Sequence, residues 1–151
     1  MTSRPKSIAK VLSPNDTGSS GSHQAGILVP RKTDILSFFP ELSGDTKNPR
    51  TQIPFVDSYG ARWTFTFIYY NNKFFDPSGT RNEYRLTGMT RFLRECGAEP
   101  GDKLVFRRDE NDCYSVELER QRKLASNLSI DSVGRVHISI SPANSWKIVE
   151  M

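Results

Sequence analysis

The run Trp63-Thr64-Phe65-Thr66-Phe67-Ile68-Tyr69-Tyr70 constrains the fold more than any other segment. Its aromatic and β-branched residues suit a pleated, half-buried surface. Trp63, Phe65, Phe67 and Tyr69 recur at spacing two, so they share one face of a strand and are expected to line a core. Around this segment the chain breaks into short apolar runs. Ile8 to Leu12 reads as a first strand, ended by the breaker-rich stretch Ser13 to Gly21, which is expected to be a long mobile loop. Ala25 to Val29 reads as a second strand closed by Pro30. Asp34 to Phe39 carries helix-like spacing behind Thr33 as a cap, and Pro40 stops it. Ile53 to Val56 is a short strand, followed by a turn at Ser58-Tyr59-Gly60. Thr90 to Cys96 reads as a helix with Thr90 as its cap and Gly97 as its stop. Lys103 to Arg108 and Cys113 to Glu119 form a hairpin, and Arg135 to Ile140 and Trp146 to Val149 are further strands. Seven or more short strands, two short helices, no βαβ alternation and no internal repeat predict a mainly β fold, a small antiparallel barrel.

With 151 residues the chain can bury one real core but not two large ones. The expected organisation is a flexible N-terminus over residues 1–6 and a single domain over 7–151. Two cysteines, no C-x-x-C pair and two histidines support neither a structural zinc site nor a disulfide framework. No cofactor is expected. The start of the chain lacks an apolar signal run and no stretch approaches membrane-spanning length, so a soluble cytoplasmic protein without a membrane partner is expected.

The net charge of +4 is only mildly suggestive of a polyanionic partner, but its distribution is more informative. Between Arg62 and Arg94 the basic residues are Arg62, Lys73, Arg81, Arg85, Arg91 and Arg94, against the acids Asp76 and Glu83. Within this stretch Gly79-Thr80-Arg81-Asn82-Glu83-Tyr84-Arg85 follows the strongest strand. The planar ends of Arg, Asn and Glu match guanine, adenine and cytosine in the major groove. On an extended segment Arg81, Glu83 and Arg85 project together, while Asn82 and Tyr84 face the other way. Each good base pairing of this kind contributes about 1 to 3 kcal/mol of discrimination. The bland alternative is a solvated strand whose Arg and Glu pair with each other, worth roughly 0 to 1 kcal/mol. Spacing alone leaves both open.

The loop Asn15 to Gln24 is rich in glycines and hydroxyls that can follow a phosphate backbone, and His23 and Gln24 can donate or accept at a base edge or phosphate. It lacks the Gly-Lys-Ser/Thr ending of a Walker loop, and by composition alone it equally suits a plain surface loop. Nuclease chemistry needs clustered carboxylates around magnesium, usually with a lysine nearby. Asp45-Thr46-Lys47 has the D-x-K spacing without a partner acid on a preceding strand, and Glu117 and Glu119 share a strand face without a lysine. Both sets read as solvated charges. No serine or cysteine sits in a nucleophile elbow, and His137 lies inside a strand pattern.

Leu12 to Pro30, and Ile68 to Asn72 followed by Gly79 to Arg85, resemble the N-terminal effector domain of EcoRII-type restriction endonucleases. Leu86 to Gly97 with Gly101 to Phe106 is similar to the helix and Gly-Asp turn of the plant B-three DNA-binding domains. The resemblance implies a seven-stranded open pseudobarrel that grips the major groove of double-stranded DNA with two arms. His23, with its neighbour Gln24, then belongs to the N-arm. Arg81, Asn82, Glu83, Tyr84 and Arg85 form the base-reading C-arm, and Lys73 is a phosphate contact ahead of it. Two positions depart from the family, which has a lysine where Gly79 stands and an aromatic where Leu28 stands. The added turn Asp76-Pro77-Ser78 also lengthens the C-arm. The implied role is the recognition module of a restriction system reading a short CCWGG-type site, without catalytic activity of its own and with a nuclease domain in the same or another chain. The alternatives are a compact magnesium-dependent nuclease, or a barrel that binds modified DNA or a protein.

Overall fold

Alternating burial along the apolar runs produces one strongly curled sheet. The computed structural model describes residues 4–18, 26–31, 33–121 and 145–151. Its strands are β1 (Ser7–Val11), β2 (Ile27–Val29), β3 (Arg50–Val56), β4 (Arg62–Tyr70), β5 (Glu83–Thr87), β6 (Lys103–Arg108), β7 (Tyr114–Glu119) and β8 (Trp146–Glu150). They lie in the order β2-β5-β4-β3-β7-β6-β1-β8, all antiparallel except the β3–β7 pair. The indole of Trp146 in β8 donates to the carbonyl of Leu28 in β2 at 3.0 Å, so the two edge strands meet through a side chain rather than a backbone ladder. That makes the barrel an open one. The described residues hold eight strands, one more than the pseudobarrel expectation. The candidate strand Arg135 to Ile140 lies outside the described residues.

Phe65 and Phe67 are fully buried, as the period-two reading required. Phe39 stacks on Phe67 with ring centroids 4.7 Å apart and also meets Phe106 and Trp146 at 6.5 Å. At the other end of β4, Phe92 packs edge-on against Trp63 and Phe65. Phe92 belongs to a helix over Thr90–Cys96, and Phe39 follows a one-turn helix over Thr33–Leu36. In both cases the threonine opens the helix as its first residue. Met89 is the residue preceding the second helix and makes no side-chain cap, while Gly97 ends it in the left-handed conformation.

Three boundaries differ from the sequence expectation. Pro14–Thr17 forms an additional helical turn, α1, where a loop was expected. Ser13 and Asp16 cap it reciprocally: Ser13 Oγ accepts from the Asp16 amide at 3.2 Å, and Asp16 Oδ2 accepts from the Ser13 amide at 2.9 Å. Strand β3 begins at Arg50, three residues before the apolar run, because the ladder with β4 reaches Ile68. The N-terminus is already held at Arg4, whose guanidinium donates to the carbonyls of Ser37 and Phe38 and to the Tyr114 hydroxyl. Residues 4–6 therefore pack onto the folded body, where the sequence suggested a flexible end.

Candidate nucleic-acid interface

Register fixes which side chains share the outer face of the sheet. In the β4–β5 ladder Tyr70 lies opposite Glu83 and Ile68 opposite Arg85, while β2 places Leu28 opposite Arg85. The even-numbered residues of β4 thus face outward with Glu83, Arg85 and Leu28. Arg81, two residues before β5, continues this face. Its guanidinium sits 3.7 Å from the centroid of the Tyr70 ring and 3.6 Å from Glu83 Oε2. Glu83 also pairs with Arg85 Nε, and Arg85 Nη1 donates to the carbonyl of Gly26 at 3.2 Å. A ladder of planar groups thereby runs from the root of the N-arm to the C-arm, about 13 Å along the strand at roughly 3.3 Å per residue.

Electrostatics keep that ladder charged. Burial pushes the Glu83 carboxyl up, but the hydrogen bond from Arg85 and the charges of Arg85 and Arg81 outweigh it, so its pKa lies below the ordinary value. Arg85 is 12% exposed, whereas Arg81 is 40% exposed. The arginine at the arm end is therefore the more accessible of the two.

The opposite face of the arm is packed. Tyr84 stacks on Tyr69 with centroids 4.2 Å apart and planes 5° from parallel, and on Phe67 at 5.7 Å. The Tyr69 hydroxyl donates to Asn82 Oδ1 at 2.7 Å. Asn82 and Tyr84 do face away from the Arg–Glu–Arg ladder, as the spacing predicted. The Tyr84 ring is taken up in this stack, and burial raises its phenol pKa.

Asparagines at the root of the arm, which spacing did not single out as functional, hold it in place. The buried Asn71 side chain accepts from the Asn48 amide at 2.7 Å and donates to the Thr46 carbonyl at 2.9 Å, while Asn48 Oδ1 accepts from the Asn71 amide at 3.1 Å. Asn72 Oδ1 accepts from the Arg81 amide at 2.8 Å, and the Lys73 amide donates to the Arg81 carbonyl at 3.1 Å. Gly79 runs so close that a Cβ there would lie 2.2 Å from the Asn72 carbonyl oxygen. Glycine at this position is thus a steric requirement of the turn. Lys47 pairs with Asp76 across that turn at 2.7 Å. Lys73 is exposed, in a single 3-10 turn over Asn72–Phe74.

The root of the N-arm is anchored by a buried ion pair. Lys10 Nζ lies 2.7 Å from Asp16 Oδ2, with the two side chains 6% and 10% exposed. A cleft of about 580 Å³ opens beside it, lined by Lys10, Ser13, Asp16, Leu28, Arg85 and Gly101 among others. Gly26 returns the chain to β2 at φ +77°, where a Cβ would meet the Leu86 carbonyl oxygen at 2.4 Å. His23 and Gln24 lie outside the described residues. Among the described residues, no three His, Cys, Asp or Glu side chains are grouped so as to hold a metal ion. Asp45 and Lys47 do not act as a pair, because Lys47 is engaged by Asp76, and Glu117 pairs with Arg107 at 2.7 Å.

Solved structures share this architecture, and curated sequences are similar to parts of the chain. The chain superposes on the structure of the Arabidopsis FUS3-DNA complex with a TM-score of 0.57 at 22% identity, covering 76% of this chain and 96% of that one. It matches the B3 domain of the UbaLAI restriction endonuclease, solved with cognate DNA, with a TM-score of 0.51 at 26% identity, covering 83% and 79%. In sequence it is 34% identical over 119 residues to the type II restriction enzyme EcoRII of Escherichia coli, covering 72% of this chain and 28% of that enzyme. The chain spans between 11% and 29% of the length of the curated relatives it matches. Residues 2–114 match the family described as restriction endonuclease EcoRII, N-terminal, and with an open pseudobarrel carrying the arm residues in register, the chain belongs to that family.

Proposed function

We propose that the chain is a sequence-specific double-stranded DNA-binding module, the recognition part of a restriction system working in the cytoplasm. The observation that carries this reading is the braced ladder Arg81–Glu83–Arg85 on the outer face, with Arg81 stacked on Tyr70. Side chains held before binding lose little rotamer freedom on contact, which favours planar, bidentate recognition. Arg81 is assigned to guanine and Glu83 to a cytosine amino group. Asn82 retains a second lone pair and its amide protons for adenine beside the Tyr69 bond. Arg85 and Tyr84 contribute at the base of the arm. Lys73 contacts phosphate, and His23 and Gln24 contact DNA from the N-arm. The likeness to domains solved with DNA supports the partner. Family membership supports a short CCWGG-type target, with cleavage assigned to another domain in the same or another chain.

The test is binding by variants to cognate and scrambled duplexes, with the cognate site identified by selection from a random library. Arg81→Ala is expected to lose about 1 to 3 kcal/mol of discrimination at one guanine position. Lys73→Ala should weaken all sequences alike and lower the salt slope by about 1. Equal losses on both duplexes for Arg81→Ala would remove it from base reading. The chain alone should leave plasmid DNA uncut in magnesium; cleavage above background would favour a nuclease instead.

A further inference from the structure

The outer face does not end at the arm. Register carries one row of side chains across four strands: Arg50 in β3 lies opposite Ile68 in β4, Ile68 opposite Arg85 in β5, and Arg85 opposite Leu28 in β2. Directly opposed residues have Cβ atoms roughly 4.5 to 5.5 Å apart, so both arginine stems flank Ile68. Ile68 is only 4% exposed although it sits on the outward face, as expected when long aliphatic stems cover it and send their charged ends outward. Arg85 spends its guanidinium on Glu83 and Gly26. Arg50 is exposed, and its described contact is Nε donating to the Asn48 carbonyl at 3.3 Å. Asn48 is the residue that bonds Asn71 at the C-arm root, so Arg50 is oriented by the same brace as the arm.

We propose that Arg50 is a DNA-phosphate contact, extending the interface from the arm onto β3 and gripping the backbone that borders the groove read by Arg81 and Glu83. This rests on the DNA-binding reading above. Strands lie about 4.8 Å apart, so β3 stands roughly 10 Å to the side of β5. A major groove about 12 Å wide puts the flanking backbone at that order of distance from an arm on the base edges. A guanidinium fixed through Nε presents its terminal nitrogens as a fork suited to phosphate oxygens. Such a contact positions the duplex without reading its sequence.

The experiment measures affinity of the full chain for cognate and scrambled duplexes across a salt series, for wild type, Arg50→Ala, Arg50→Lys and Arg107→Ala. Arg107 lies on β6 and pairs with Glu117, away from the arm, and serves as a charge control. Arg50→Ala is expected to weaken both duplexes by the same factor, about tenfold at low salt, and to lower the salt slope by about 1. Arg50→Lys should restore the slope, and Arg107→Ala should match wild type. A wild-type slope and affinity for Arg50→Ala, or a loss confined to the cognate duplex, overturns the assignment while leaving DNA binding intact. If wild type itself binds no duplex, both the assignment and the reading beneath it fall. An unchanged circular dichroism melt for Arg50→Ala separates lost contact from lost fold.

Discussion

At the Glu83 carboxyl, desolvation by the sheet surface and the charges of two arginines act in opposite directions, and the arginines win. The folded-state pKa is therefore depressed below the ordinary 4.5. A depressed carboxylate contributes stability that is present in full above its unfolded pKa and is lost as pH falls through the folded value. The ladder should thus stay intact from neutral pH down to the ordinary glutamate range and come apart only below it. The expected outcome is that discrimination attributable to Glu83, measured as the difference between wild type and Glu83→Gln, is constant between about pH 8 and pH 6. A drop within that window would mean that Glu83 is not held as a carboxylate between Arg81 and Arg85. The spacing of Arg81, Glu83 and Arg85 was legible from sequence, because a strand alternates faces whatever surrounds it. Their mutual pairing was legible only as an alternative to base reading. The pairs hold the arginines on one face and leave Arg81 accessible, so both features stand on the same row of side chains.

The C-arm as an element depends on residues that carry no charge. Asn71, Asn72 and Gly79 hold the turn, and the 2.2 Å approach at Gly79 leaves no room for a methyl group. Gly79→Ala must push the Asn72 peptide aside, displacing the acceptor that fixes the Arg81 amide. We expect a loss of about tenfold in cognate affinity, about 1.4 kcal/mol. The melting transition should move little, because an arm outside the core opens without global unfolding. Calorimetric binding and a thermal melt on the same variant check both halves; unchanged binding would show that the arm tolerates the shift. The existence of the arm followed from turn residues after a strong strand. Its bracing did not, because Asn48 and Asn71 are 23 residues apart. The helical turn Pro14–Thr17 is not legible in the sequence for a different reason: Ser13-Pro14-Asn15-Asp16 contains capping chemistry as well as breakers, and the buried Lys10–Asp16 pair selects the capped form.

Across the whole molecule, the open barrel is closed by rings rather than by a backbone ladder. Phe39 touches Phe67 of β4, Phe106 of β6 and Trp146 of β8, so one side chain spans strands from both halves of the sheet order. Phe39→Ala would remove a fully buried ring from that junction, and about 3 to 5 kcal/mol of unfolding free energy is expected to go with it. Denaturant titration measures this, and a change below about 1 kcal/mol would show that the barrel halves do not depend on the ring. The helix-like spacing of Asp34 to Phe39 predicts Phe39 as the last residue of a short helix. It lies three residues beyond the Thr33–Leu36 helix, after the turn residues Ser37 and Phe38, and its burial arises from the curl of the sheet.

The sequence by itself determined the strand periodicity, the mainly β class, the position of the arm and the faces its residues occupy. These follow from local sterics and the two-residue repeat, which act over a few residues. Only the tertiary structure decided that β3 starts at Arg50, that Arg50 and Arg85 flank Ile68 in one row, and that Trp146 meets Leu28 across the opening. Register and closure depend on pairing between segments far apart in the chain. Local pattern restricts such pairings, but packing of the shared core selects among them.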